Sequence, residues 1–188
     1  MSLMDKLSKY KINCPKPQRN KKGMFLIKIK NKTASIVSFV EGKDKLKLNP
    51  KICYEIGKNI AKFHIASKKI KLYRKNSLSL KEWQKLLNKI GNKSKIISPN
   101  LNSLMKNSFL QIKNKWPKNL PHGIIHADLF IDNIFFYKKK YYGFIDFYFS
   151  SNDFLAYELA ICINALCFNK KGKKYFLNKL ENKINELR

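Results

Sequence analysis

Apolar residues change their period along this chain, and the changes mark its elements. Residues 2–10 carry a short helical pattern that stops before Cys14-Pro15-Lys16-Pro17, where two prolines force extended backbone. Met24–Ile29 and Thr33–Val40 are rich in aromatic and β-branched residues, with Lys30-Asn31-Lys32 between them. They predict a hairpin ended by Glu41-Gly42. Ile52, Ile56, Ile60 and Phe63 recur at helical spacing behind Pro50, which suits a first helical position, and predict a helix to Ser67. Ser79-Leu80-Lys81-Glu82 has the form of a capping box and opens a helix toward Ile90. A further helix spans Leu101–Trp116 and ends at Pro117.

The period then shortens. Gly123–His126, Ile134–Tyr137 and Tyr142–Phe147 read as short strands, with Lys138-Lys139-Lys140 as an exposed hairpin turn. Helical spacing returns over Asp153–Phe168, and a polar helix is expected over Lys173–Leu187. No internal repeat is present. A small β element, a hinge, several helices and short strands inside a helical body predict an α+β protein with two unequal lobes.

Composition refines this picture. The 188 residues are 44% hydrophobic, with thirteen Phe and nine Tyr, so a real core is expected and wholesale disorder is excluded. The longest apolar stretch, Phe154–Phe168, is shorter than the ~20 residues of a membrane span and contains Glu158 and Asn164. No hydrophobic leader follows Met1. Cys14, Cys53, Cys162 and Cys167 form no Cys-x-x-Cys pair, so zinc spacing is absent. A soluble, reducing, cytoplasmic setting with free thiols is expected.

The net charge of +28 admits a nucleic-acid reading, because clustered lysines release counterions from phosphates. The lysines, however, are spread along the whole chain, and only Arg19, Arg74 and Arg188 are arginines. Abundant Lys, Asn and Ile fit a genome poor in G and C better than a phosphate-reading surface. No specific nucleic-acid partner and no membrane partner are expected.

Three polar groups stand at predicted strand ends: Asp128, Asn133 and Asp146. Phosphoryl transfer needs such a set. Magnesium bridging the phosphates wants hard oxygen ligands, and a carboxylate must orient or deprotonate the attacking hydroxyl. Asp128 suits the carboxylate, and Asn133 with Asp146 suits the metal. Taken singly, each also fits a turn or cap residue. Asp153 reads chiefly as the cap of the helix that follows it, Asp132 as a loop residue, and His64 and His122 as surface or packing residues.

The wider segment is more specific. His126-x-Asp128-Leu129-x-x-x-Asn133 fits the kinase catalytic-loop pattern, and Asp146-Phe147 falls where its metal-binding Asp-Phe follows, with Tyr148 in place of the usual Gly. His126 through Phe136 and Gly143 through Phe168 closely resemble the homoserine kinases of the aminoglycoside-phosphotransferase-like superfamily. So do Asn13–Pro17, Ser38–Gly42, Ile56–His64 and Leu78–Trp83; residues 85–115 resemble it weakly.

The resemblance implies a protein-kinase-like two-lobe fold. Residues 1–42 would be a partial N-terminal lobe and hinge, and residues 43–188 a mostly helical C-terminal lobe. It also implies ATP and Mg2+ as cofactors and phosphorylation of the homoserine hydroxyl, on the way to threonine. Asp128 would be the catalytic carboxylate, His126 a brace of the loop, Asn133 and Asp146 the metal ligands, and Ser38, Phe39, Val40 and Glu41 the adenine-facing hinge.

The family's phosphate-covering loop and ATP-binding lysine are expected before residue 1, and further helices beyond Arg188. That leaves an inactive or partial chain as an open alternative. Choline, methylthioribose or aminoglycoside acceptors are also open, although Phe147-Tyr148-Phe149 continues as homoserine kinases do. The family commonly has Pro where Ile131 stands and Asp where Glu158 stands.

Overall fold

Three helices and two antiparallel strand pairs share one core. A computed structural model describes residues 1–44, 48–138 and 140–167. The expected helix at Lys173–Leu187 lies outside them. Helix α1 (Ser2–Ser8) buries Met4 and Leu7 against α2 (Pro50–Ser67). Helix α2 begins where the Asn49 side chain accepts the Ile52 N–H at 3.0 Å. Its apolar stripe, Ile56, Ile60 and Phe63, meets Ile124, Leu129, Ile134, Phe144 and Phe147 in that core. Burial of such side chains contributes about 1.5–3 kcal/mol each, which holds the strands beneath the helix.

The hairpin forms as predicted but is short: β1 (Ile27–Ile29) pairs with β2 (Lys32–Ala34). Residues 36–38 instead run antiparallel to residues 16–18. Gln18 N–H donates to the Ile36 carbonyl and Ser38 N–H to the Lys16 carbonyl, both at 2.9 Å. Pro17 between them has no N–H to offer and lies at this short bridge, where prolines are tolerated.

Strand β4 (Ile134–Tyr137) pairs with β5 (Lys140–Phe144). Lys140 therefore belongs to a strand rather than to the turn. Lys43 adds to the outer side of β4 through two backbone bonds with Phe136. Gly42 makes that approach possible: at φ +112°, an added Cβ would lie 2.6 Å from the Phe136 carbonyl oxygen. Gly143 does the same on the other strand, where a Cβ would meet the Asn13 carbonyl oxygen at 2.7 Å.

Helices α3 (Leu80–Ile90) and α4 (Leu101–Lys115) pack on each other beside the core. Trp83, Trp116, Tyr157 and Phe154 form an aromatic cluster there, with ring centroids 5.6–6.5 Å apart. The capping box does not form. Ser79 makes no side-chain cap bond, and Glu82 pairs with Lys75 and Lys85 instead.

One element was absent from the pattern. Strand β6 (Ser151–Phe154) pairs antiparallel with β3 (His122–Ile125) and leads directly into α5 (Leu155–Leu166). Asp153 is therefore a strand residue opposite Gly123, not a helix cap; its carboxylate accepts the Asn76 amide at 2.6 Å. Cys162 and Cys167 are buried, and burial pushes the Cys162 thiol up. Among the described residues, no helix is long and apolar enough to cross a membrane.

Candidate active site

The loop after β3 is fixed at both ends. Ile125 and Leu129 are fully buried and pin its flanks. Between them Ala127 takes φ +66°, a left-handed conformation that non-glycine residues rarely adopt. Glu158 on α5 holds it there. Its carboxylate accepts the His126 N–H at 2.8 Å and the Ala127 N–H at 2.9 Å, and His64 Nε2 of α2 lies 3.2 Å away as a third donor.

Glu158 was visible in the sequence as the lone acid in an apolar stretch and as a position where the resembled family commonly has Asp. That is itself a usable signal, because a charge is buried only when partners compensate it. His64 is correspondingly a buried partner of the loop's anchor rather than a surface residue.

Replacing Glu158 with Ala would leave three buried donors without this acceptor, at a cost of about 3–5 kcal/mol. A thermal melt of E158A should fall by on the order of 10 °C, with E158Q falling less. An E158A midpoint within about 2 °C of the parent would contradict the anchor role.

His126 is fully buried against Phe147 and Phe144, with ring centroids at 4.5 and 6.2 Å. Its Nε2–H donates to the Ile145 carbonyl at 2.8 Å, tying the Asp128 loop to the Asp146 loop. Burial holds its pKa below the ordinary histidine value against the opposing charge of Glu158. Burial thus favours the neutral ring, whose Nδ1 is buried with no hydrogen-bond partner.

Asp128 and Asn133 face each other across a tight turn. The Asn133 amide nitrogen donates to the Asp128 carbonyl at 2.8 Å and to its carboxylate Oδ2 at 3.1 Å. Backbone bonds from Phe130 to Asp128 and from Asn133 to Phe130 close the turn. Asn133 in turn accepts the Ile145 N–H at 3.0 Å, which brings the residue before Asp146 alongside it.

Asp146 sits at φ +56°, and its Oδ1 accepts the Tyr148 N–H at 3.2 Å at the head of a one-turn helix over Phe147–Phe149. The Asp128 carboxyl is raised above the ordinary aspartate value by burial and then by the charge of Asp146, partly offset by His126 and the Asn133 bond. Asp132 is exposed on the same turn.

The donor set fits magnesium. Because the Asn133 amide nitrogen is committed to Asp128, its oxygen is the atom available to a cation, and Asp146 supplies an exposed carboxylate. Among the described residues, no three His, Cys, Asp or Glu side chains form a cage of their own. Magnesium in phosphoryl-transfer sites needs none, since it takes one or two protein ligands and completes its shell with phosphates and water.

Residues 38–41, expected at a hinge, lie in a segment outside any helix or strand. Ser38 is tied to Lys16 by backbone and side chain, Val40 is buried, and Phe39 is 85% exposed. Glu41 leads into the Lys43–Phe136 pairing and so to β4, the strand that follows Asn133.

This architecture is that of a protein-kinase-like phosphotransferase. It resembles an amicoumacin kinase (TM-score 0.68, 16% identity, 88% of this chain and 52% of that one). It also resembles an aminoglycoside-3'-phosphotransferase of type VIII (TM-score 0.65, 11% identity, 93% of this chain and 65% of that one).

The chain belongs to the phosphotransferase enzyme family, whose model matches residues 1–175. It is 41% identical over 172 residues to the homoserine kinases of Parvibaculum lavamentivorans and Allorhizobium ampelinum. Each alignment covers 92% of this chain and 54% of the relative, so the chain spans about half the length of these curated relatives.

Proposed function

We propose that this chain carries the phosphoryl-transfer centre of an ATP-dependent kinase whose acceptor is the hydroxyl of L-homoserine. The observation that carries the reading is the pair of hydrogen-bonded loops bearing Asp128 with Asn133 and Asp146, in a chain 41% identical to homoserine kinases over 92% of its length. Asp128 orients the hydroxyl and takes its proton as the oxygen attacks the γ-phosphate in line. Its raised proton affinity suits that task.

Asn133 and Asp146 would hold Mg2+, which when bound neutralises the phosphate charge. His126 braces the two loops and stays neutral. Residues 1–42 serve as a partial nucleotide lobe, with the backbone of Ser38, Phe39, Val40 and Glu41 facing adenine, and residues 43–188 as the catalytic lobe. The substrates are soluble metabolites, so a cytoplasmic setting follows.

The acceptor is tested by magnesium-dependent ADP release with L-homoserine, choline, methylthioribose and an aminoglycoside in parallel. Homoserine should raise the rate over ATP alone by at least about tenfold more than any other acceptor, the low end of what a single methylene difference in a pocket achieves. Preference for another alcohol would keep the centre and replace the substrate.

A further inference from the structure

The segment between α2 and α3 makes an unusual set of contacts with the chain that follows Asp146. Arg74, one of the few arginines here, lies beside β6. Its N–H donates to the Asn152 side chain at 2.8 Å and its carbonyl accepts the Asn152 N–H at 2.8 Å. Lys75 then bridges Asn152 in parallel, and the buried Asn76 holds Asp153. Residues 74–76 therefore lie along the β6 edge of the β3–β6 pair, tied to it by one isolated parallel bridge and by side-chain bonds.

The Arg74 guanidinium reaches back along the same edge. One nitrogen donates to the Tyr148 carbonyl and lies 3.5 Å from the Ser150 carbonyl, and the cation sits 5.8 Å from the Tyr148 ring centroid. Tyr148 is the residue whose N–H binds the Asp146 carboxylate. A single side chain thus joins a segment fixed to β6 by Asn76 and Asp153 to the turn that carries Asp146.

We propose that Arg74 is a positioning residue for the metal-binding Asp146: it clamps the 147–150 turn through the Tyr148 and Ser150 carbonyls and so holds the carboxylate where a cation bridged to nucleotide phosphates would meet it. The physical case rests on three points. Asp146 takes a left-handed backbone, which must be held by its surroundings. The clamp is a charged donor, whose bonds to carbonyls are stronger than neutral ones. Its anchor is a segment bonded to the β6 edge at Arg74, Lys75 and Asn76 rather than a free loop, so the guanidinium is placed before any ligand arrives. Its relevance to catalysis rests on the kinase reading above; the clamp itself does not.

Arg74→Gln and Arg74→Lys test it. Amide exchange over residues 146–150 should speed up about tenfold in R74Q, the scale of losing one charged hydrogen bond. R74K, which keeps the charge on a single flexible donor, should recover part of the protection. Mn2+ titration in the presence of ADP, followed by electron paramagnetic resonance, should show affinity weakened about five- to tenfold in R74Q, with the KM for the acceptor unchanged.

Unchanged exchange in R74Q overturns the clamp. Faster exchange with unchanged Mn2+ affinity overturns its link to the metal ligand. A raised acceptor KM with unchanged Mn2+ affinity makes Arg74 a subsite for an acidic group of the acceptor and likewise overturns the proposal. If the parent protein binds no Mn2+ with nucleotide, the kinase reading and the link to the metal both fall, while the exchange measurement still decides whether Arg74 holds the turn.

Discussion

Asp146→Ala should lower magnesium-dependent phosphoryl transfer by at least about 10³-fold, the scale seen when a charge-stabilising group is removed from a transition state. Asp146 supplies the only formal charge among the two proposed ligands, so its loss leaves Asn133 with a neutral oxygen. The variant should fold. Asp146 is exposed, and what it gives up inside the protein is one bond to the Tyr148 N–H. A melting temperature near that of the parent, with turnover lost over the whole range of magnesium concentration, is the expected pair of results. Turnover restored simply by raising magnesium would mean that Asp146 contributes affinity but not the catalytic position of the ion.

Asp128→Asn is expected to reduce kcat by about 10²- to 10⁴-fold, the range of general base catalysis. The substitution is nearly isosteric. The Asn133 amide can still donate to the new carboxamide oxygen, so the turn closed by Phe130 and Asn133 persists. Nucleotide affinity should therefore change little, and the loss should appear in kcat rather than in the KM for either substrate. A variant with full kcat would remove Asp128 from the chemistry and leave it as the turn residue that its bonding also supports. The two substitutions report on different functions: D128N should retain metal-dependent nucleotide binding that D146A lacks.

Helices with strong periodicity and clear punctuation were legible from sequence. Pro50 and the Ile52–Phe63 stripe define α2, and Pro117 ends the helix before it. The catalytic-loop residues were legible as a spacing, because a carboxylate, a carboxamide and a second carboxylate each stood beside an apolar run.

What escaped the sequence depends on contacts between distant residues. Asn152-Asp153 resembles a helix cap locally, yet both residues are drawn into pairing with β3 and with the 74–76 edge. Backbone pairing with a neighbour about thirty residues away outweighs a cap worth ~1 kcal/mol. The Ser79 capping box failed for a similar reason, since Glu82 pairs with two lysines instead of the backbone it would cap.

Glu158 shows the limit most plainly. Its spacing marks one turn of an apolar helix, and only the fold reveals that its two oxygens receive the amides of His126 and Ala127, 32 and 31 residues earlier. That grip holds the left-handed Ala127 and the His126 backbone in place, while burial of the His126 ring lowers its pKa against the charge of Glu158. The site is thus a set of short-range motifs held by long-range anchors: Glu158 and His64 beneath the Asp128 loop, and Arg74 beside the Asp146 turn.

The most direct test of the central claim is phosphorus NMR of the protein with ATP, magnesium and L-homoserine. The account predicts a phosphomonoester resonance that grows as the γ-phosphate of ATP declines, requires homoserine and magnesium together, and is absent with Asp128→Asn on the same timescale. ATP left intact under those conditions, or γ-phosphate appearing only as inorganic phosphate, would contradict it.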